Sequence, residues 1–268
     1  MGRLSDRVVL ITGSTGIAAA AAEAAAAEGA SLFIVSRDGD HARDLAERVG
    51  GDWMAADLTR ETEVDAAITA AVKRFGRIDG LFAVAGGSGR GYGDGPIHAM
   101  TAEGWDRTLE LNLRTQALTA RAVVRVMLVQ APVGRTPGTR GSIVLVSSVL
   151  AARPVPELFA THAYAAAKGA IVALATTMAA AYAPDRIRVN VVAPALTATP
   201  MAQRAADDPT IVDFARRKQP LVAGFLDAED IAHGAIYLLA DESRAVTGQV
   251  LTIDGGWSVT SAAVGASG

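Results

Sequence analysis

Tyr164 and Lys168 are the residues whose types and spacing point most directly to chemistry. They lie four positions apart at the start of a predicted helix, so their side chains project from one face. A free phenol has a pKa of about 10, and a nearby ammonium favours the phenolate, which suits acid–base work near neutral pH. The same spacing also occurs by chance in exposed pairs. The pair therefore predicts a catalytic site only if other polar groups accompany it.

Hydroxyl and amide side chains that suit the same chemistry stand upstream. The serines Ser147 and Ser148 end a predicted strand, and Asn112 lies within a predicted helix. Hydroxyl donors stabilise negative charge as it develops on a substrate oxygen. A protein without chemistry has no physical need to place such groups together. These residues, together with Tyr164 and Lys168, are therefore candidates for one catalytic site.

A glycine turn near the amino terminus predicts a site for a phosphate-bearing cofactor. The apolar strand Val8–Thr12 runs into Gly13-Ser14-Thr15-Gly16 and then into an alanine-rich helix. Bare glycines let peptide N–H groups approach phosphates, and the helix dipole favours their negative charge. A tight turn without a ligand is an equal alternative on this motif alone, because Ala18 or Ala19 stands where a third glycine is usual.

The end of the second predicted strand bears on the choice of cofactor. It reads Ser36-Arg37-Asp38, at the place where dinucleotide folds select between a ribose hydroxyl and a ribose phosphate. Arg37 favours a 2′-phosphate, which it can pair with through charge-assisted hydrogen bonds. Asp38 is compatible with NAD as the cofactor. Simple solvation of both side chains, with neither binding a cofactor, is a further alternative. We predict NADP(H) in preference to NAD(H).

Short apolar runs alternate with segments of helical length, which is typical of repeated βαβ units around a parallel sheet. We predict one α/β domain over residues 1–268, a Rossmann fold with a doubly wound, parallel seven-stranded sheet. A segment over about residues 200–225 is the expected substrate lid, and about residues 259–268 form a loose tail. The predicted strands are Val8–Thr12, Leu32–Ser36, Trp53–Ala56, Gly80–Val84, Ser142–Ser147, Arg188–Val192 and Gln249–Ile253. The predicted helices are Ile17–Ala27, His41–Val49, Glu61–Phe75, Ala102–Gln130, Tyr164–Tyr182 and Ala228–Ala240.

Composition and charge argue against several classes of protein. A net charge of -3 and a pI near 5.8 give no reason to bind nucleic acid. With no cysteine, the chain has neither disulfides nor thiolate catalysis. The four histidines lack ligand spacing, so we expect no metal. The amino terminus lacks a secretory pattern and the apolar stretch Ala163–Ala183 contains Lys168, so we expect a cytoplasmic protein without a membrane partner.

The order of these motifs resembles that of the short-chain dehydrogenase/reductase family. The residues that carry the resemblance are Trp105–Leu113, the strand with its serine pair, Tyr164-Ala-Ala-Ala-Lys168, Arg188–Pro194 and Thr247–Gly256. The chain is similar to this family over about residues 5–258, and to its short-subunit branch of 3-oxoacyl-acyl-carrier-protein reductase-like enzymes. The resemblance implies an NAD(P)-dependent oxidoreductase that transfers a hydride between nicotinamide and a ketone or secondary alcohol.

The resemblance also implies a role for each site residue. Tyr164 would be the acid/base, Lys168 would hold the nicotinamide ribose and lower the tyrosine pKa, Ser148 would orient the substrate oxygen, and Asn112 would join a water-mediated proton relay. A small carbonyl or alcohol is the implied partner, and pairing of the two long helices across subunits implies a homotetramer. The residues expected to border the cofactor are Gly13, Ser14, Thr15, Gly16, Ile17, Ser36, Arg37, Asp57, Leu58, Ala85, Gly86, Tyr164, Lys168, Pro194, Thr197 and Thr199.

Two departures from the family pattern bear on the cofactor site. The glycine turn is one residue shorter than the usual TGxxxGxG, and Ala83-Val84-Ala85-Gly86 replaces the usual Asn-Asn-Ala-Gly. These departures support an alternative, a non-catalytic dinucleotide-binding or redox-sensing protein of the same fold. A family-like epimerase or dehydratase that uses the same tyrosine is a third interpretation. We favour the oxidoreductase because the four predicted catalytic residues are all present.

Overall fold

Seven strands form one sheet, in the order β3-β2-β1-β4-β5-β6-β7, in the computed structural model of the chain, which describes residues 2–261. Every neighbouring pair of strands is parallel. The predicted fold class is confirmed, and the strand bounds differ from the predicted ones by at most two residues. The strands are β1 Val8–Thr12, β2 Ser31–Ser36, β3 Asp52–Ala55, β4 Gly80–Ala83, β5 Gly141–Val146, β6 Ile187–Pro194 and β7 Val250–Ile253.

Helices cover both faces of the sheet, which explains why the central strands are buried throughout rather than alternately exposed. β5 and β6 are buried along their whole length. One buried cluster joins the sheet to α1, α2 and α10, and a second joins its other face to α3, α5 and α7. The helices are α1 Ile17–Ala27, α2 Gly39–Val49, α3 Glu61–Phe75, α4 Ala102–Leu109, α5 Thr115–Val129, α6 Pro156–Phe159, α7 His162–Tyr182, α8 Gln203–Ala206, α9 Pro209–Lys218 and α10 Ala228–Leu239.

The strand order reverses direction between β1 and β4. From β1 the chain first runs outward through β2 and β3, and then returns to continue on the other side of β1 with β4 to β7. Helices that leave the two sides of such a point diverge, so a crevice opens beyond the carboxyl ends of these strands. The glycine turn after β1 and the residues that follow β4 and β5 therefore border one crevice.

The prediction of one continuous helix over Ala102–Gln130 is wrong. A π-helical turn at Glu110–Arg114 separates α4 from α5. Asn112 is fully buried within that turn, and its amide nitrogen donates to the carbonyl of Thr108 at 2.9 Å. The hydroxyl of Thr115 donates to the carbonyl of Leu111 at 2.9 Å. Such side-chain bonds compete with the regular helical ladder, and single π-turns are frequent at functional sites.

The segment between β6 and α10, expected to be the substrate lid, contains ordered helices. A 3-10 turn at Pro200–Ala202 leads into α8 and then α9. Asp208 caps α9 by accepting a hydrogen bond from the Thr210 backbone N–H at 2.9 Å. The role of the segment over residues 200–225 as a substrate lid stays a prediction. The predicted loose tail begins at residue 259, and its residues 262–268 lie outside the described residues.

Two further helical features bear on the predictions. The loop after β5 contains α6, a helix of four residues that is too short to show a periodic pattern and was not predicted. Within residues 2–261, α7 is the one helix long and apolar enough, by length and composition alone, to cross a membrane. In the fold it packs on β6 and α4, and its buried side includes Lys168. These contacts favour the predicted interpretation of α7 as a helix of the domain.

Candidate active site

The four predicted catalytic residues border one cavity of about 410 Å³ at the carboxyl ends of β4, β5 and β6. Asn112 comes from the π-turn, Ser148 follows β5, and Tyr164 and Lys168 lie in the first two turns of α7. Asn112 and Lys168 are buried, whereas Ser148 and Tyr164 are partly exposed at the wall. The structure therefore brings together residues that the sequence places up to 56 positions apart, from Asn112 to Lys168.

Burial controls the ionisation of the Tyr164–Lys168 pair. It raises the pKa of the Tyr164 phenol to about 12, and the nearby Ser148 hydroxyl opposes part of that rise. Burial also lowers the pKa of the Lys168 ammonium to about 7 from an ordinary 10.5. Lys168 is not among the groups that shift the pKa of Tyr164 in this structure, so its effect on that pKa stays a prediction. With the ammonium 5.4 Å from the ring centre, the desolvation of both groups outweighs their attraction.

Lys168 is held at the site by the end of β5. Its ammonium donates to the carbonyl of Val146 at 3.0 Å, and its own backbone carbonyl accepts from the Ser147 hydroxyl at 2.7 Å. The side chain of Gln116 reaches the same strand end: its amide donates to the Val146 carbonyl and accepts from the Val146 N–H, each at 3.0 Å. Gln116 thus fixes the acceptor that positions the ammonium. An ammonium has three donors, so the other two remain available to a ligand in the cavity.

Asn112 closes the site on the side of β4. Its amide nitrogen donates to the Gly87 carbonyl at 2.8 Å, and its amide oxygen accepts from the Gly87 N–H at 3.3 Å. A Cβ added at Gly86 would lie 2.7 Å from that oxygen and 3.7 Å from the ammonium of Lys168. Glycine at 86 is therefore required by close packing against two of the predicted catalytic residues.

The start of α7 is anchored by a buried carboxylate. Asp94 is 6% exposed, and its two oxygens accept hydrogen bonds from the backbone N–H groups of Ala163 and Tyr164, each at 3.0 Å. The residue before the helix, Thr161, provides no side-chain cap. Asp94 therefore supplies the negative charge that the amino terminus of α7 favours, and it fixes the backbone of Tyr164.

A second cavity, of about 290 Å³, continues from the first toward β1 and β2. Most residues predicted to hold the adenosine half of a cofactor border it. They are Gly13, Ser14, Thr15, Ser36, Arg37, Asp57, Leu58, Ala85 and Gly86. Gly13 and Gly16 have φ of 95° and 54°, a conformation that glycine adopts without steric cost. The shortened turn thus still brings β1 directly to the amino terminus of α1, where backbone N–H groups are free to meet phosphates.

The end of β4 is held in place by hydrogen bonds other than those of the usual asparagine side chains. The N–H of Ala85 donates to the hydroxyl of Thr12 at 3.0 Å, and the Thr115 hydroxyl donates to the Ala85 carbonyl at 3.3 Å. Ser14 and Ser36 join the turn to the end of β2 through a hydroxyl–hydroxyl hydrogen bond of 3.0 Å. The missing amides therefore leave no gap between β1 and β4.

Arg37, Asp38 and Asp57 set the charge around the end of β2. The carboxylate of Asp38 caps α2 by accepting from the His41 N–H at 3.0 Å. Burial would raise the pKa of Asp57, but hydrogen bonds from Thr59 and the charges of Arg37 and Arg60 outweigh it and lower that pKa. Arg37 is exposed and makes no ion pair within residues 2–261. Its guanidinium is thus free for an anion, whereas Asp38 is committed to its helix.

The residues predicted to border the nicotinamide lie beyond β6. Ile17, Pro194, Thr197 and Thr199 all line the larger cavity. A Cβ added at Gly16 would stand 3.0 Å from the Thr199 side chain, so the glycine turn and this segment are in contact. Nearby, the buried side chain of Gln219 bonds both the N–H and the carbonyl of Leu196, at 2.9 and 3.0 Å, and the carbonyl of Gly224 at 2.8 Å. Gln219 therefore fastens the end of α9 to the site.

These features fit a dinucleotide. Two adjoining cavities run from the glycine turn to Tyr164, and both are bordered by Gly86. A Cβ added at Gly86 would lie 3.7 Å from the Lys168 ammonium, so that ammonium is close to the place where the cavities meet. Within the described part of the chain there is no cluster of three or more acidic or histidine side chains that could hold a metal ion.

Several residues of the site were not predicted from the sequence. They are Asp94, Gln116, Gln219 and two arginines at the larger cavity, Arg90 and Arg204. Arg90 lies in a glycine-rich loop and Arg204 in the expected lid. Polar residues in such segments are ordinarily solvated, so the sequence carried no signal that they face the cavity.

Comparison with known proteins gives matches along nearly the whole chain. The family described as Enoyl-(Acyl carrier protein) reductase matches residues 11–258. The chain is 36% identical to 2-(S)-hydroxypropyl-CoM dehydrogenase 3 of Xanthobacter autotrophicus, covering 95% of this chain and 97% of that protein. It is 34% identical to levodione reductase of Leifsonia aquatica, covering 96% of each.

A solved structure agrees with these sequence matches. The 3-ketoacyl-(acyl-carrier-protein) reductase of Brucella melitensis, complexed with NADH, superposes with a TM-score of 0.81 at 28% sequence identity. The match covers 96% of this chain and 100% of that chain.

Proposed function

Because the chain belongs to the short-chain dehydrogenase/reductase family and is an NAD(P)-dependent oxidoreductase, we propose that it reduces a ketone to a secondary alcohol at Tyr164. The observation that carries this proposal is the convergence of Asn112, Ser148, Tyr164 and Lys168 on one cavity. A nicotinamide, when bound, would supply the hydride. The enzyme's own task is then to hold the carbonyl and to supply a proton to its oxygen.

Tyr164 is the proton donor in this proposal. A pKa of about 12 keeps the phenol protonated at neutral pH, so it can donate to the oxygen as negative charge develops there. The hydroxyl of Ser148 gives a second donor to the same oxygen, which orients it and stabilises the charge. With a pKa of about 7, Lys168 exchanges protons readily near neutrality and can restore the proton of Tyr164. Asn112 holds the wall of the cavity through Gly87.

The ends of the cofactor take different partners. The peptide groups of the turn from Gly13 to Gly16 would hold the pyrophosphate, and Lys168 would hold the nicotinamide ribose. NADP(H) is the preferred cofactor in this proposal, because Arg37 is free and borders the adenosine cavity while Asp38 caps α2. We also place the enzyme in the cytoplasm, as expected from the sequence.

A pair of measurements tests this function. Tyr164→Phe removes the proton donor and leaves the cofactor cavities intact, so NADPH oxidation with a panel of ketones should fall at least about a hundred-fold. The same variant should still show the rise in melting temperature that NADPH gives the unaltered protein. Unchanged turnover would remove Tyr164 from the mechanism.

The cofactor preference is read from the same melting curves. NADPH should raise the melting temperature more than NADH does at equal concentration, and Arg37→Ala should remove that difference. An equal rise with both cofactors in the unaltered protein would contradict the NADP preference while leaving the oxidoreductase function standing. No rise with either cofactor would contradict the cofactor site itself.

A further inference from the structure

Two arginines at the larger cavity have no part in the proposed reaction. Arg90 belongs to the 3-10 turn Arg90–Tyr92 after β4, and Arg204 belongs to α8 in the expected lid. Both border the cavity, and both are exposed, unlike the buried Asn112 and Lys168. They therefore stand at the mouth of the cavity, on two separate segments of the chain.

Their charge is not neutralised by the protein. Within residues 2–261 neither guanidinium forms an ion pair or a side-chain hydrogen bond. The nearby acid, Asp94, already accepts the two backbone N–H groups at the start of α7. The pKa of Arg90 is lowered by burial and by the charge of Arg204, with Asp94 opposing the shift. Two cations are thus close enough to repel each other.

The rest of the cavity matches a ligand with one charged end. None of the described residues that line it is aspartate or glutamate. The polar groups Ser148, Tyr164 and Lys168 lie on one part of the lining. The lining also includes the large apolar side chains of Val149, Leu150, Phe159, Leu196, Met201 and Trp257. Phe159 and Trp257 lie against each other, with ring centres 6.3 Å apart.

We propose that Arg90 and Arg204 bind an oxyanion at the far end of the substrate while its carbonyl lies at Tyr164. This inference rests on the proposed function and names its substrate class, oxo acids in which a short apolar chain separates the ketone from the anionic group. Guanidinium groups bind carboxylates and related oxyanions through paired hydrogen bonds. The anion would also relieve the repulsion between the two arginines, which favours its binding over that of a neutral analogue.

The test compares oxo acids with their neutral esters. We would assay 3-oxobutanoate, 4-oxopentanoate, 5-oxohexanoate and 6-oxoheptanoate, each beside its methyl ester, by NADPH oxidation. At the favoured length, kcat/KM for the acid should exceed that for the ester by about ten-fold or more. At saturating NADPH, raising the ionic strength should reduce kcat/KM for the acid more than kcat/KM for the ester.

Variants assign the preference to the two arginines. Arg90→Gln and Arg204→Gln should each remove most of the preference for the acid, mainly through KM, while kinetics with the ester stay the same. Arg90→Lys keeps the charge but loses the paired donors, so it should retain part of the preference. Arg216→Gln is the matched control, since Arg216 is exposed on α9 in the same segment and does not line the cavity.

A binding measurement separates this proposal from the proposed function. With NADPH present, the favoured oxo acid should raise the melting temperature of the unaltered protein but not of the Arg90→Gln/Arg204→Gln double variant. Equal kcat/KM for acids and esters, or variants that weaken NADPH binding in place of acid binding, would overturn the oxyanion site alone. An acid that binds through these arginines without being reduced would instead count against the proposed function.

Discussion

Lys168 shows how one buried charge connects the stability of the protein to its chemistry. The ammonium borders the cavity, and within residues 2–261 its one protein acceptor is the carbonyl of Val146. Burial without a carboxylate partner disfavours the charged form, which is why the pKa of Lys168 falls to about 7. The fold therefore bears a cost for placing this group at the site, and that cost depends on pH.

The sign of the pH dependence follows from the two states of Lys168. Between pH 7 and 10.5 the unfolded chain holds this proton and the folded protein has released it. The free energy of unfolding should therefore rise with pH in this window, by up to about 1.4 kcal/mol per pH unit from this group. Below pH 7 both states are protonated, and the contribution becomes constant. Above pH 10 the raised pKa of Tyr164 acts in the opposite direction.

Urea unfolding at pH 7, 8 and 9 measures this contribution, with Lys168→Met beside the unaltered protein. The difference between the two in free energy of unfolding should shrink steadily as pH rises. The control is Lys73→Met, because Lys73 is exposed on α3 and its substitution should leave the pH dependence as it was. A parallel pH dependence in Lys168→Met and the unaltered protein would contradict the depressed pKa.

Single residues differ in how far the sequence revealed their roles. The convergence of Tyr164, Ser148, Lys168 and Asn112 on one cavity was predictable because each stands in an ordered motif. Gln116 was not, because it acts by pairing its amide with one strand residue 30 positions away, and nothing in its neighbours' sequence signals that contact. From the sequence alone, Arg90 and Arg204 likewise have the pattern of solvated surface charges, whereas in the fold both line one cavity.

At the scale of elements, the helices that carry the site are shaped by polar side chains as much as by apolar periodicity. The apolar pattern over residues 102–130 predicted one helix and missed the π-turn at Glu110–Arg114. That turn depends on hydrogen bonds of Asn112 and Thr115 that only tertiary packing specifies. Strand positions were predicted closely because a buried parallel strand is an unbroken apolar run.

Asp94 gives a test at this scale. Asp94→Asn should lower the free energy of unfolding by about 1–2 kcal/mol, because it loses a charged acceptor at the amino terminus of α7. Turnover should fall as well, since the backbone of Tyr164 loses one of its anchors. Urea unfolding and steady-state assays would measure the two effects. Asp106→Asn on α4 provides the control, because Asp106 is exposed and its side chain makes no hydrogen bond within residues 2–261.

At the scale of the whole molecule, α7 exposes a face made of small residues. About 33% of its most apolar stretch is buried in one subunit. The residues Ala166, Ala173, Thr177 and Ala180 on the remaining surface are exposed. Small side chains allow two helices to approach closely, and closed symmetric assemblies are the usual form of such pairing. These features support the homotetramer that we propose from the resemblance to the family, with α7 pairing across subunits.

Replacing Ala173 with glutamate tests that assembly. A carboxylate placed within a close-packed interface would be desolvated without a partner, so Ala173→Glu should convert the tetramer into smaller species. Light scattering at micromolar protein would measure the mass of each species, with Ala66→Glu, on an exposed position of α3, as the matched control. Because Ala173 lies five residues beyond Lys168 and does not line either cavity, cofactor binding should persist in the dissociated protein. A monomeric mass for the unaltered protein, or a tetramer that survives Ala173→Glu, would contradict pairing through α7.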